Sequence, residues 1–425
     1  MRGWVRAVAM LSGVGMTVLG LVAVAPAAQA NAVVATIPVG SRPIAVEFLP
    51  NGKYAYIAQS GSASVSKIDV ASDTVVATIP VGGYPGDLVV NPAGTFIYVA
   101  NTGSNTVSKI DVATDTAVAT IPVGTQPNHI AINRTGAYVY VTNFISGTVS
   151  KINISTDAVE VTFPAGARPN GVDFDPTGKK AFVTNYLAGT VTEIDTTTNA
   201  IQAEGITGSN PKDLAVNPAG TFSYIANSGS DTVSKLSIAE SAVVGAIAVG
   251  SSPYGVAIDP TGTFAYVSNS GSNNVSVVNL ARDTVTNNIA VGNYPAGLAV
   301  NPSGTFALVT NVNSNTVSRI AITPPTHQQT PVNDCVIAPK SVPMSGIRRL
   351  LRAHCVTNAG QPVQLKVACR EVRGDDGRVC RVIRHHNGAV ELRTHGHRHL
   401  RIVITWWAPA TVGYSAYHHV HRYRT

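Results

Sequence analysis

Charge and aromatic side chains are both scarce in this chain: Asp, Glu, Lys and Arg make up 12% of its 425 residues, aromatics only 6%. A large core is still affordable at this length, but it has to be built from Val, Ile and Ala. No segment between residues 33 and 326 repeats its apolar residues every 3.6 positions, which excludes a helical solenoid. Gly-rich phosphate loops, nucleophile elbows and HExxH pairs are all missing, so the common signatures of nucleotide, serine-hydrolase and zinc-protease chemistry are not present. Before residue 327 there is no Cys and a single His, His129. After the apolar stretch at residues 7–25 no second run reaches membrane-spanning length.

What the chain has in quantity is Gly (38) and Pro (25), and they fall in a strict order. Seven copies of a 42-residue unit, starting at Val33, Val75, Ala117, Val159, Ile201, Val243 and Val285, run to Thr326 without insertion or deletion. A period of this size is the mark of a repeat architecture. Each copy holds four short runs rich in Val, Ile, Thr and Tyr, the composition of strands. In the second copy they are Val75–Ile79, Asp87–Asn91, Thr95–Ala100 and Thr106–Asp111. Several are apolar on both sides, as strands covered on both faces are. A Gly ends the first run of every copy, a Pro precedes the second, and an N-P-x-G or related turn follows it. Asn closes the third run in six copies, with Gln59 in the other, and its amide is expected to bond the turn backbone.

Four strands in each of seven repeats describe an all-β, seven-bladed β-propeller. The register also states how the ring closes. The seventh copy lacks the outer run that should follow it, because Pro324-Pro325 stop the pattern, while Val33–Ile37 is an outer run with no blade before it. Pairing the two removes an exposed edge.

The motifs IPVG-x-x-P, NP-x-GT, Tyr140-Val-Thr-Asn143 with its variants, and S-N-T-V-S-K-I-D identify a resemblance over all seven repeats. The chain resembles the YVTN-family β-propeller repeats of bacterial and archaeal surface and secreted proteins. The resemblance implies the propeller fold and a role as a surface-layer or binding protein.

On a propeller the ligand face is made by the loops leading into the inner strand and those joining the two middle strands. There the copies differ while their frame stays constant, as on a binding surface carried by a rigid scaffold. The candidates are Arg42, Tyr84, Asp87, Gln126, Asn128, His129, Arg168, Asn170, Lys212, Asp213, Tyr254 and Tyr294, with Phe144, Tyr186 and Asp231 in the second set of loops. His129 is the candidate acid, base or ligand of a competing reading, a lactonase-like hydrolase or lyase. No catalytic residue is assigned and no cofactor is expected.

The two ends differ from the repeat. Arg2 and Arg6, the apolar stretch and Ala28-Gln29-Ala30 read as an export signal over residues 1–30, leaving a mature chain without a spanning segment. The propeller is expected over residues 31–326, a polar linker over 327–334, and a basic β-sandwich over 335–425. Residues 1–326 hold 15 Lys and Arg against 18 Asp and Glu, a net of −3; residues 327–425 hold 15 against 5, a net of +10. Cys335, Cys355, Cys369 and Cys380 predict two disulfides in an exported domain, Cys335–Cys355 and Cys369–Cys380 being favoured because the second pair flanks an expected hairpin. His395, His397 and His399 fall on one face of an expected strand and are candidate zinc or copper ligands.

These features predict an exported, surface-associated monomer, a non-catalytic binding module tethered by its basic domain. The expected partner is an envelope polymer, glycan or protein, and not nucleic acid. The register predicts that removing residues 31–40 leaves an open seventh blade and lowers the thermal midpoint of the mature chain by 10 °C or more, roughly the loss of one interior strand; an unchanged midpoint in calorimetry refutes the closure.

Overall fold

The computed structural model describes residues 31–322 throughout and, beyond them, the strand segments 347–351, 364–371, 380–384, 390–394, 400–408 and 417–424. Residues 32–321 form seven four-stranded antiparallel sheets, and no helix occurs among the described residues. The first sheet pairs β2 (Pro43–Phe48), β3 (Tyr54–Gln59), β4 (Ser64–Asp69) and β5 (Thr74–Pro80) in chain order, inner to outer. Five further sheets repeat it. The seventh takes Pro295–Val300, Phe306–Asn311 and Thr316–Ala321 and completes itself with β1 (Ala32–Pro38), which runs antiparallel to Thr316–Ala321 with Ile37 opposite Val317. The closure read from the register is present.

The blades hold together through their faces. One hydrophobic cluster joins Tyr56, Val65 and Ile79 of the first blade to Leu88, Ile97, Val99 and Ile110 of the second, and equivalent clusters follow around the ring. Each such aliphatic side chain stabilises the fold by about 1.5–3 kcal/mol when fully buried. Burial on both faces explains why the middle strands do not alternate: Tyr98, Ile97, Val99 and Ala100 are all inaccessible. Polar stitches run beside this core. Lys67 reaches Asp115 at 2.9 Å, Lys109 reaches Asp157 at 2.8 Å, and Lys235 reaches Asp283 at 2.9 Å, each from one blade to the next. The ring is closed by the same device, Arg319 bonding Asp73 at 2.7 Å. Lys109 and Arg319 also lie 4.2 and 4.0 Å from the ring centroids of Phe96 and Phe306, where cation–π attraction adds to the pair.

The repeated Gly and Asn prove to be two halves of one contact. A Cβ placed on Gly82 would stand 2.6 Å from Asn101 Cγ, and one on Gly250 would stand 2.7 Å from Asn269 Cγ. The Gly is therefore required for space. The Asn amide does not bond the turn backbone as expected: Asn101 Nδ2 donates to Thr106 Oγ1 at 3.1 Å and Ser108 Oγ at 2.9 Å, tying the third strand to the fourth. The side chain is buried and points along the sheet, so the hydroxyls of the paired strand are its nearest acceptors. The N-P-x-G turn behaves as its chemistry predicts: Gly94 adopts φ 68° and its N–H donates to Asn91 O at 2.8 Å.

Beyond the propeller the described segments make two three-stranded antiparallel sheets. Residues 380–384 and 390–394 pair antiparallel, with Val382 opposite Leu392. Gln364–Glu371 pairs instead with Leu400–Ala408, so Cys369 and Cys380 stand on strands of different sheets and do not flank a hairpin. The export signal, the linker, Cys335, Cys355 and the His395, His397 and His399 set lie outside the described residues. Among the described residues no helix is long and apolar enough to cross a membrane.

The Gly–Asn contact predicts that Gly124→Ala destabilises by about 1–3 kcal/mol, because a methyl group must displace the amide of Asn143. Gly245→Ala, with no heavy atom within 4 Å of the new Cβ, is the control expected to stay within about 0.5 kcal/mol of wild type. Urea denaturation of the two variants measures the difference.

Candidate functional site

The seven inner strands stand around a central channel without backbone pairing to one another, since each belongs to its own sheet. They enclose a cavity of about 380 Å³ lined by residues from all seven blades. At one repeat position the channel wall reads Ala45, Asp87, His129, Gly171, Asp213, Gly255 and Gly297. Two residues further along each strand it reads Glu47, Val89, Ala131, Asp173, Ala215, Ala257 and Ala299. Small residues predominate, and the few large polar ones have the space to themselves.

His129 is the centre of the polar set. Its Nδ1 lies 3.3 Å from Asp87 Oδ2 on the preceding blade and 3.8 Å from Asp213 Oδ1, two blades on. The intervening blade contributes Gly171, where a Cβ would meet Lys212 O at 2.6 Å. Only glycine allows the fourth and fifth inner strands to come that close. The His129 N–H donates to Thr142 Oγ1 at 3.1 Å, which anchors its backbone to the second strand of its own blade.

The carboxylates are tied down as well. Asp87 Oδ2 accepts the Ile130 N–H at 3.0 Å. Asp213 Oδ2 accepts the Val256 N–H at 3.0 Å, and Asp173 Oδ2 accepts the Val216 N–H at 2.9 Å. Each is a bond from one inner strand to the next, so these side chains replace the ladder that separate sheets cannot form.

Burial governs the protonation of the channel. Burial alone would depress the His129 imidazole, but the charge and hydrogen bond of Asp87, with Asp213 behind them, hold it above its ordinary value of 6.5. Burial raises Asp213 despite the opposing charge of His129. Glu47 is pushed up to about 8 by burial and by the charges of Asp87 and Asp173. Asp173 rises to about 7 through burial, against the backbone N–H groups of Val216 and Phe174. Lys212 is lowered to about 8 by burial, its ammonium 4.1 Å from the centroid of Tyr254. Tyr254, itself raised by burial, faces Tyr294 with ring centroids 6.5 Å apart.

The structure thus sorts the candidate residues. Asp87, His129, Asp213 and Tyr254 line one cavity, with Lys212 against Tyr254. Asn128 and Asn170 bond each other at 2.9 Å beside it. Arg42, Tyr84, Gln126, Arg168 and Tyr294 share a different job: they hold the left-handed corner of the rim turns, with φ between 51° and 56°. Asp231 caps one such corner, accepting the Ser252 N–H at 2.8 Å. Glu47 and Asp173 line the channel and are absent from the candidates drawn from the sequence. The signal for them was there, since they alone break a column of Ala and Val. Among the described residues no group of three or more His, Cys, Asp or Glu side chains is arranged to hold a metal ion.

A family model described as Lactonase, 7-bladed beta-propeller matches residues 22–121, 155–286 and 248–346. Among solved structures, hydrazine synthase of Kuenenia stuttgartiensis is similar with a TM-score of 0.62 and 22% identity, over 66% of this chain and 95% of that one. At this identity the likeness is one of fold. No curated protein matches the chain.

Glu47 makes the channel's electrostatics measurable. Its carboxyl rises from 4.5 unfolded to about 8 folded, so its contribution to stability is complete below about 4.5 and lost as pH climbs through about 8. Glu47→Gln should therefore match wild type at pH 5 and exceed it at pH 9 by about 1 kcal/mol or more, as read by denaturant titration.

Proposed function

The chain belongs to the lactonase family of seven-bladed β-propellers, and from that premise we propose that its channel is an acid–base site for hydrolysis of a small cyclic ester. The observation that carries the reading is the placement of His129 in the cavity between Asp87 and Asp213. A cavity of about 380 Å³ suits a small molecule better than a polymer. With Asp87 facing Nδ1, the proton of the neutral ring belongs on Nδ1 and Nε2 is the free base. In this reading Nε2 takes a proton from water as the water oxygen attacks the ester carbonyl. The same proton passes to the alkoxide released when the ring C–O bond breaks, and the product is a hydroxy acid. Asp87 and Asp213 stabilise the imidazolium formed in between. Asp87 also fixes the ring orientation, since its Oδ2 is itself held by the Ile130 N–H.

A second reading is favoured by that same bond and its counterpart from Val256 to Asp213, because both carboxylates already serve to join neighbouring blades. In it the propeller is an exported, non-catalytic binding module of the YVTN kind its motifs resemble. The basic residues after 327 would tether it to an anionic envelope component through contacts that weaken with salt.

Assays with γ- and δ-lactones distinguish the two. Hydrolysis should rise with pH as His129 loses its proton, at a midpoint above 6.5. His129→Gln should lower kcat/KM by about a hundredfold or more, the usual weight of general acid–base catalysis. Equal rates in both proteins sink the catalytic reading, and retention on envelopes that falls with added salt then supports the second.

A further inference from the structure

The seven copies of the loop between the second and third strands serve as controls for one another. Four blades carry small or polar tips there, Ser60-Gly61, Thr102-Gly103, Ser228-Gly229 and Ser270-Gly271, and the seventh carries Val312-Asn313 with its Val312 buried. The third and fourth blades carry Phe144-Ile145 and Tyr186-Leu187. Ile145 is 51% exposed and Leu187 62% exposed, so the fold does not use them as core. The rings of Phe144 and Tyr186 lie 5.9 Å apart, and the Arg168 guanidinium is 5.4 Å from the Phe144 centroid. The two loops therefore meet in one apolar platform with a cation at its edge.

These blades, like the first with its Ala63, lack a bond that the other four make. Asn105, Asp231, Asn273 and Asn315 each accept, through Oδ1, the N–H of the left-handed residue in the next blade's rim turn, at 2.8–2.9 Å. The third and fourth blades have Gly147 and Gly189 at that place, which supply the φ of 69° and no cap. What sets the two loops apart is that each exposes an aliphatic side chain at its tip, Ile145 in one and Leu187 in the other, and such adjoining apolar surface suits a contact outside the fold.

The location is specific. Phe144 N–H donates to Gln126 O at 2.9 Å and Tyr186 N–H to Arg168 O at 3.0 Å, so the platform sits on the rim turns that lead into the inner strands of the third and fourth blades. The first of those strands carries His129. Neither loop contains a carboxylate, and Arg168 forms no ion pair among the described residues. Exposed aliphatic and aromatic surface beside an unmatched guanidinium is complementary to a ligand with an apolar body and an anionic head.

We propose that Phe144, Ile145, Tyr186 and Leu187, with Arg168, form a docking platform for an amphipathic carboxylate, its chain lying on the loop tips and its head paired with Arg168. The platform works whether or not the channel turns over a substrate. Titration calorimetry of the full chain with decanoate, and with decanol as the uncharged analogue, tests it. Decanoate should bind at least tenfold more tightly than decanol. Arg168→Gln, which installs the residue the third blade already has at the same corner, should weaken decanoate binding about tenfold. Exchanging both tips for Ser-Gly, as in the first blade, should abolish it while leaving the thermal midpoint close to wild type. His129→Gln should bind as wild type. Undiminished binding in the tip-exchanged protein or in Arg168→Gln, equal affinity for decanol, or loss of binding in His129→Gln would each overturn the platform.

Discussion

The pairing of β1 with Thr316–Ala321 is the constraint on which the rest of the molecule depends. It joins the two ends of a 290-residue arc and turns seven sheets with exposed faces into a ring in which every face is covered. Arg319 and Asp73 reinforce the join with the contact used between other blades, so the seam resembles the ordinary interfaces. A closed ring also sets the width of the channel. Once the circumference is fixed at seven inner strands, a residue on the second blade and one on the fifth both come within 4 Å of an imidazole on the third.

Inside that ring, size and charge are arranged together. Gly171, Gly255 and Gly297 let neighbouring inner strands crowd against one another, which leaves the larger side chains of the other blades room to converge. The converging groups are titratable and shielded from bulk water, so burial raises the carboxyl groups of Glu47, Asp173 and Asp213 while nearby carboxylates raise His129. The same carboxylates accept backbone N–H groups across the gaps between sheets. Structure and chemistry thus share the same atoms, and a substitution at Asp87 or Asp213 perturbs both. The loop tips of the third and fourth blades are different. Their backbones bond the rim turns, but the Ile145 and Leu187 side chains stand exposed outside the core, so the tips can be changed with little effect on the frame.

Much of this was legible in the chain because its causes are local. β-propensity, a Pro that presets φ and a Gly that accepts φ near 68° act within a few residues, and repeating them seven times makes the period unmistakable. The outer run missing after the seventh copy and the orphan Val33–Ile37 even named the strands that meet. Reading loop variation as a contact surface was less exact. Tyr84 and Gln126 vary because the corner they occupy demands only a left-handed backbone, whereas Asp87 and His129 vary because their side chains face the channel. Spacing alone does not separate the two cases, since both lie in the same seven-residue frame.

The chain by itself determined the number of blades, their strand order and the seam, because each follows from short-range chemistry counted along one dimension. Only the tertiary structure decided which residues share a site. Asp87 and His129 are one repeat apart and Asp213 is two repeats further, and their meeting depends on ring curvature and on the space left by Gly171. Glu47 and Asp173 acquire their raised pKa values from burial around the channel, a property of the closed ring that no local pattern contains. The Gly–Asn contact belongs to the same class: two turn residues in the chain, and one steric fit in the fold.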